Sequence, residues 1–229
     1  TEEVLAAAGI SLYRTGSRYR IPGGQRYRLP SPLTVEGDWS SAAFFLCAGA
    51  MSREGIAVDG LSLPTRQGDS ALLPLLRQMG AVVNLSSGCI TIRKGRLRAT
   101  DIDARPIPDL IPPLSVLAAA AEGESHIQNA RRLRYKESDR LQGIAELLNS
   151  LGGCLTVDGD GLLIHGVSHL RGGTVDPMGD HRLAMSAALA ALSADAPVTV
   201  RDADCVSKSY PAFWADFQSL KGEAPCPAP

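Results

Sequence analysis

No stretch of the 229 residues approaches the roughly 20 consecutive apolar positions that a membrane span requires. The first residues, Thr1 to Ala8, carry Glu2 and Glu3 in place of the basic residues of a targeting segment. Excess positive charge is also missing: 23 Lys and Arg against 24 Asp and Glu leave a formal net charge of −1. That balance removes the usual electrostatic case for a binder of nucleic acid or of a membrane surface, so any anion site must be local. Cysteine is sparse, odd in number and scattered (Cys47, Cys89, Cys154, Cys205, Cys226), with no CxxC pair. It suggests neither a zinc cage nor a disulfide framework and fits a reducing cytoplasm. Histidine offers one HxxxH spacing, His165 to His169, but Gly166 lies inside it and the stretch reads as strand and turn, so no metal is expected. What remains is an ordinary globular composition, 45% hydrophobic and 21% charged, in a length that allows one domain or one domain with part of another.

The strongest internal signal is a repeat. Apolar, Ala- and Leu-rich segments follow acidic or hydroxyl residues of the helix-capping type at Asp38, Asp69, Asp109, Asp139, Asp180 and Ser209. The intervals are 31, 40, 30, 41 and 29 residues, so long and short gaps alternate and the unit is a pair of helices. Asp38 to Asp109 and Asp109 to Asp180 are each 71 residues, and Asp69 to Asp139 and Asp139 to Ser209 are each 70. Short β-branched stretches follow the first helices, at 56–58, 125–128 and 198–200. Hairpins follow the second, 82–85 with 90–93 and 155–157 with 162–165, turning at Gly88 and at the DGDG run 158–161. Each unit reads strand, helix, strand, helix, strand, strand. The segments 42–51 and 183–192 are apolar almost all round, which implies burial on every side, whereas the helix after Asp139 shows one apolar face and stops at Gly152. The expected fold is therefore an α/β, inside-out domain of repeated βαβαββ units with helices inside and sheets outside.

Both ends of the repeat are broken. The third unit lacks its hairpin, and the sequence after Leu220 dissolves into GEAPCPAP, expected to be a disordered tail over 222–229. The chain instead begins with a leftover: a helix over 2–8, Gly9 as its stop, and two strands, 10–14 and 18–21, around Thr15 and Gly16. Residues 29–36 read as an extended connection. The expected division is 1–36 as the tail of a preceding domain with its connection and 37–221 as the repeat domain. Either the first hairpin completes the third unit, or the chain is the later part of something longer, and the second reading is preferred.

A helix N-terminus presents unpaired N–H groups and partial positive charge, a natural anion site. Three of the six starts also carry cations: the run RRLRYKESDR at 131–140, His181 with Arg182, and Lys208. If those starts share one end of the repeat, Arg140, Arg182 and Lys208 converge on one anion, and a pair of guanidiniums with an ammonium suits a phosphate or a carboxylate. Plainer readings stand beside this one. The run at 131–140 can be a solvated surface, His181 a capping or core residue, and Asp109, Asp139 and Asp180 simple helix caps worth roughly 1 kcal/mol each. Asp109 precedes an interior apolar helix, so partial burial is expected to raise its pKa toward a value suited to proton transfer. Glu137, between Lys136 and Arg140, should stay ionised and shuttle a proton only when a substrate relieves that pairing.

The strings VEGDWSSAAFFLCAGAM, PIPDLIPPLSVLAAAAEG, RRLRYKESDRL, GDHRLAMSAALAAL and VSKSYPAFW resemble the C-terminal half of the 5-enolpyruvylshikimate-3-phosphate synthases, a likeness running from about residue 1 to Leu220. The resemblance implies two similar domains of three βαβαββ units each. It also implies transfer of the enolpyruvyl group of phosphoenolpyruvate to the 5-hydroxyl of shikimate 3-phosphate through a tetrahedral intermediate, with release of phosphate and without metal or organic cofactor. Carried over motif by motif, Asp109 contacts shikimate 3-phosphate and is the base at its hydroxyl, Lys136 contacts the same substrate, and Glu137 exchanges the proton at the methylene carbon. Arg140, Arg182 and Lys208 hold the phosphate and carboxylate of phosphoenolpyruvate, and His181 borders the reacting centre. Arg132 falls where some members carry a polar residue that touches the shikimate moiety. The family's other domain, which supplies the rest of both sites, is almost wholly missing here. The chain alone is therefore expected to turn over negligibly and to need a complementary N-terminal half. Two alternatives differ in substrate or class: the sister transferase acting on UDP-N-acetylglucosamine, and a noncatalytic anion-binding or assembly module.

Overall fold

The computed structural model describes residues 1–29, 31–32, 34–86 and 88–220. They divide into two compact units, Thr1–Glu36 and the residues from Gly37 on. The first holds helix α1 (Glu2–Ala7), closed at Gly9 with φ +74°, and the antiparallel pair β1 (Tyr13–Thr15) and β2 (Arg18–Arg20), which turns through Gly16 at φ +60°. These elements are shorter than the sequence suggests. Residues 34–36 are irregular, and the expected tail at 222–229 lies outside the described residues.

The second unit contains the repeats. The first supplies α2 (Trp39–Met51), β3 (Ile56–Asp59), α3 (Leu72–Gln78), β4 (Val82–Ser86) and β5 (Cys89–Arg93). The second supplies β6 (Ile102–Asp103), α4 (Ile111–Ala119), β7 (Glu124–Gln128), α5 (Arg140–Ser150), β8 (Cys154–Asp158) and β9 (Gly161–His165). The third supplies β10 (Gly173–Val175), α6 (His181–Ala190), β11 (Val198–Val200) and α7 (Phe213–Ser219). Among the described residues, only the second repeat is complete. Its sheet has the order β6-β7-β9-β8, with β6 parallel to β7 and the remaining pairs antiparallel. The first repeat forms an antiparallel sheet β3-β5-β4, and the third a parallel pair β10-β11. No opening strand for the first repeat and no hairpin for the third occur among the described residues.

Helices α2, α4 and α6 pack on one another at the centre. Every residue of α4 is buried, and α2 is buried from Trp39 through its Phe44–Ala50 run apart from Ser40 and Ser41 near its start. A helix without a polar side has no face to offer water, and each fully buried Leu or Phe stabilises this arrangement by about 1.5–3 kcal/mol. The apolar run that begins in α6 surfaces just beyond the helix, where Leu192 is exposed. Around this core the sheets alternate: Leu155, Ile164 and Ile127 point inward, whereas Cys154, Glu124 and His126 face solvent. Gly49 permits the closest approach of helix to sheet, because a Cβ there would stand 2.8 Å from the Ile92 carbonyl oxygen.

Three of the six expected caps are caps. Asp38 accepts from the amides of Ser40 and Ser41, Asp139 from Gln142, and Asp180 from Arg182. Asp69 sits inside a 3-10 turn (Gly68–Ala71), and Ser209 precedes Tyr210 and Pro211, with α7 starting only at Phe213. Asp109 lies in a 3-10 turn (Pro108–Leu110) ahead of α4 and accepts from no backbone amide among the described residues. The physical reason is local. Pro112 and Pro113 occupy the first turn of α4 and carry no N–H to be capped. Among the described residues, no helix is long and apolar enough to cross a membrane, and no group of three His, Cys, Asp or Glu is placed to hold a metal.

Candidate functional site

The starts of α4, α5 and α6 lie close together, and their charged side chains form one connected cluster. Arg140, the first residue of α5, is at its centre with only 1% of its side chain exposed. Its Nε donates to Asp180 Oδ2 at 2.7 Å, its Nη1 to Asp109 Oδ1 at 2.9 Å, and its Nη2 to Glu137. Lys136 reaches the same Asp109 oxygen at 3.1 Å, and the Nε of Arg182 stands 3.6 Å from it. On the other side, Lys208 Nζ, brought in from the third repeat, donates to Glu137 Oε1 at 3.2 Å. The structure therefore gathers Asp109, Lys136, Glu137, Arg140, Arg182 and Lys208 into one network, with His181 next in chain between Asp180 and Arg182.

Four cations face three carboxylates in this network. Arg182 is the least satisfied member. It is largely buried, yet its nearest contacts are long: Nη1 lies 3.4 Å from the carbonyls of Ser40 and Asp109. Burial pushes its pKa down, and the negative charge of Asp109 works the other way. A buried cation with long hydrogen bonds is costly unless an anion completes its shell.

Asp109 overturns one expectation. Burial does work to raise its pKa, but Arg182, Lys136 and Arg140 together outweigh it and hold the carboxyl below its ordinary value. Glu137 is likewise held low: burial pushes it up, while its own backbone amide, Arg140 and Lys208 pull it down. Both carboxylates are ionised at neutral pH. Burial, with help from Arg182, lowers the pKa of His181 against the opposing pull of Asp180, so the imidazole is neutral. Its Nδ1 is buried without a hydrogen-bond partner among the described residues.

Arg132 does not join the network. It is exposed and lines a separate cavity of about 710 Å³ with Arg105, Arg131, His126 and Asp158. The HxxxH histidines also go separate ways, His165 to Glu124 at 3.0 Å and His169 to Asp195 at 3.2 Å. Three participants escape the sequence reading. Asp180 looks like a cap and is also the chief partner of Arg140, Ser138 donates to Asp180 at 3.0 Å, and Ser40 donates to Asp69, whose pKa burial raises. Only the 71-residue spacing that places Asp38, Asp109 and Asp180 at equivalent points could have flagged the second of these duties for Asp180.

Comparison with known proteins gives a consistent picture. The sequence profile of EPSP synthase (3-phosphoshikimate 1-carboxyvinyltransferase) matches residues 1–217. Two similar curated proteins carry the name 3-phosphoshikimate 1-carboxyvinyltransferase. That of Methanocella arvoryzae is 44% identical over 222 residues, covering 96% of this chain and 52% of the relative, and that of Clostridium perfringens is 43% identical over 224 residues, covering 97% and 52%. Among solved structures, the EPSP synthase of Acinetobacter baumannii superposes with a TM-score of 0.81 at 29% identity, covering 97% of this chain and 54% of that one. The chain thus spans about half the length of the relatives it matches.

Proposed function

The chain belongs to the EPSP synthase family and has its fold, and on that premise we propose that it forms the C-terminal half of a 3-phosphoshikimate 1-carboxyvinyltransferase. The enzyme moves the enolpyruvyl group of phosphoenolpyruvate to the 5-hydroxyl of shikimate 3-phosphate, releases phosphate, and serves aromatic amino acid synthesis in the cytoplasm. The single observation that carries this reading is the cation-rich network in which Arg140, Arg182 and Lys208 surround the two acids Asp109 and Glu137.

The chemistry follows from those placements. Phosphoenolpyruvate brings a phosphate and a carboxylate, and Arg140, Arg182 and Lys208 receive them. In turning to the substrate these cations loosen their grip on Glu137, so its proton affinity rises and the carboxylate takes up a proton from solvent before the site closes. Glu137 then delivers a proton to the methylene carbon as the 5-hydroxyl oxygen attacks the adjacent carbon, and Asp109 takes the hydroxyl proton. Collapse of the tetrahedral intermediate breaks the bond to phosphate, returns the methyl proton to Glu137 and restores the carbon–carbon double bond. The hydroxyl proton taken by Asp109 passes on to the departing phosphate, and the cations stabilise the resulting hydrogen phosphate dianion as it leaves. His181 lies beside this centre as a neutral imidazole, and Lys136 contacts shikimate 3-phosphate. Arg132, outside the network, is assigned no role in the chemistry.

A complementary N-terminal half supplies the rest of both substrate sites and closes over them, excluding water. The half-length coverage of the relatives supports this requirement. The test is to mix the chain with the N-terminal portion of a relative and follow phosphate release from phosphoenolpyruvate and shikimate 3-phosphate. Activity is expected only in the mixture, and full turnover by this chain alone contradicts the half-site reading. The same assay with UDP-N-acetylglucosamine as acceptor should give none.

A further inference from the structure

Arginine 140 must do more than lie near an anion. Its long side chain has to present the guanidinium at one angle, and something must hold it there while the ligand comes and goes. The three carboxylates around it differ in the property that decides which can do this. The side chains of Asp109 and Glu137 are 31% and 26% exposed, open to an arriving ligand, whereas that of Asp180 is 0% exposed.

Asp180 also touches both arginines. One oxygen accepts from Arg140 Nε at 2.7 Å and from Ser138 Oγ at 3.0 Å. The other accepts from Arg140 Nη2 at 3.3 Å and from the Arg182 backbone amide at 2.9 Å, the bond that caps α6. A side-on pair of bonds to Nε and Nη2 fixes the plane of a guanidinium, which a single bond does not. We propose that Asp180 is a positioning residue, whose buried carboxylate sets the plane of Arg140 and, through the α6 cap, its register with Arg182, so that both meet one phosphoryl or carboxylate anion. The edge of Arg140 bonded to Asp109 and Glu137 is the exchangeable one that the anion takes over. This inference rests on the anion-binding role proposed above for the same arginines.

The test begins with Asp180→Asn. Asparagine caps a helix as well as aspartate does, so the α6 start survives while the charge and the two-oxygen grip on Arg140 are lost. Binding of inorganic phosphate to the full chain is measured by calorimetry for wild type, Asp180→Asn, Arg140→Leu and the double variant. Asp180→Asn should bind about ten-fold more weakly or worse, the scale on which metal sites lose affinity when the partner that orients a ligand is removed. The substitution should cost nothing further once Arg140 is already leucine. Unchanged affinity in a folded Asp180→Asn protein, or an equal further loss in the Arg140→Leu background, overturns the proposal. Nitrogen-15 spectra of the wild-type arginine side chains give a reading even if the variant does not fold. The Arg140 Nε–H should stay protected from exchange at saturating phosphate while its Nη signals move, and release of Nε–H on binding contradicts the assignment. A wild-type chain that binds no phosphate, and stays inactive with an N-terminal partner, removes the underlying reading and this inference with it. Turnover that is normal with Asp180→Asn in the reconstituted enzyme removes the inference alone.

Discussion

Asp109 and Asp180 stand 71 residues apart at equivalent points of successive repeats, each just before a buried central helix, yet their carboxylates do different things. Asp180 caps α6 and is sealed from water. Asp109 accepts from no backbone amide among the described residues, because Pro112 and Pro113 leave the first turn of α4 short of amides, and its partly exposed carboxylate collects Lys136, Arg140 and Arg182 instead. A third equivalent, Asp38, caps α2 from an exposed position and bonds only to Ser40 and Ser41 among the described side chains and amides. The same residue at the same point of a repeat thus serves as a cap, a buried support and a candidate base. What separates the three is the supply of neighbouring N–H donors and of cations from other repeats.

Breaking the comparison at Asp109 should have the largest consequence. In the reconstituted enzyme, Asp109→Asn should lower kcat by roughly 10²–10⁴-fold with a much smaller change in KM for phosphoenolpyruvate, as expected for loss of a general base. Normal turnover would remove that role. Next comes the support itself. Arg140→Ala leaves Asp180 buried without its main partner and should destabilise the fold by about 3–5 kcal/mol in urea unfolding. Arg132→Ala, at an exposed residue outside the network, should stay within about 0.5 kcal/mol of wild type. Between these two falls Asp38→Ala, expected to cost about 1 kcal/mol as a lost cap and to leave phosphate affinity unchanged. A matching loss of affinity would mean that the three aspartates are not distinguished as described.

The pH dependence of stability sharpens the same contrast with the smallest effect. His181 titrates below 6.5 in the folded chain, so as pH falls under about 6.5 the unfolded chain binds more protons and stability declines. His181→Gln should flatten that part of the profile. Asp109 and Glu137 are held below their ordinary 3.8 and 4.5, so their contribution is complete above those values and is lost as acid protonates them in the folded state. Unfolding transitions recorded from pH 8 to pH 3 should show the two declines separately.

The repeat and the central helices were legible in the sequence because both are local patterns: a fixed spacing of helix starts, and segments such as 42–51 without a polar side. The gathering of Arg140, Arg182 and Lys208 was legible for the same reason, since cations at successive helix starts share one end of a repeat. The charge state of Asp109 was misread. Its burial could be inferred from the apolar helix that follows, but the cations that outweigh burial lie 27, 31 and 73 residues away. The second duty of Asp180 was hidden likewise, because capping is a local signature and the bond to Arg140 spans 40 residues. Ser209 fails as a helix start because it closes the 3-10 segment Ala203–Lys208, and α7 begins only at Phe213.

The most direct measurement is a titration of nitrogen-15-labelled arginine and lysine side chains with phosphoenolpyruvate. A shared half-pocket requires Arg140, Arg182 and Lys208 to shift together with one common Kd while exposed Arg105 and Arg132 stay put. Separate affinities for the three, or equal shifts at the exposed arginines, would contradict it.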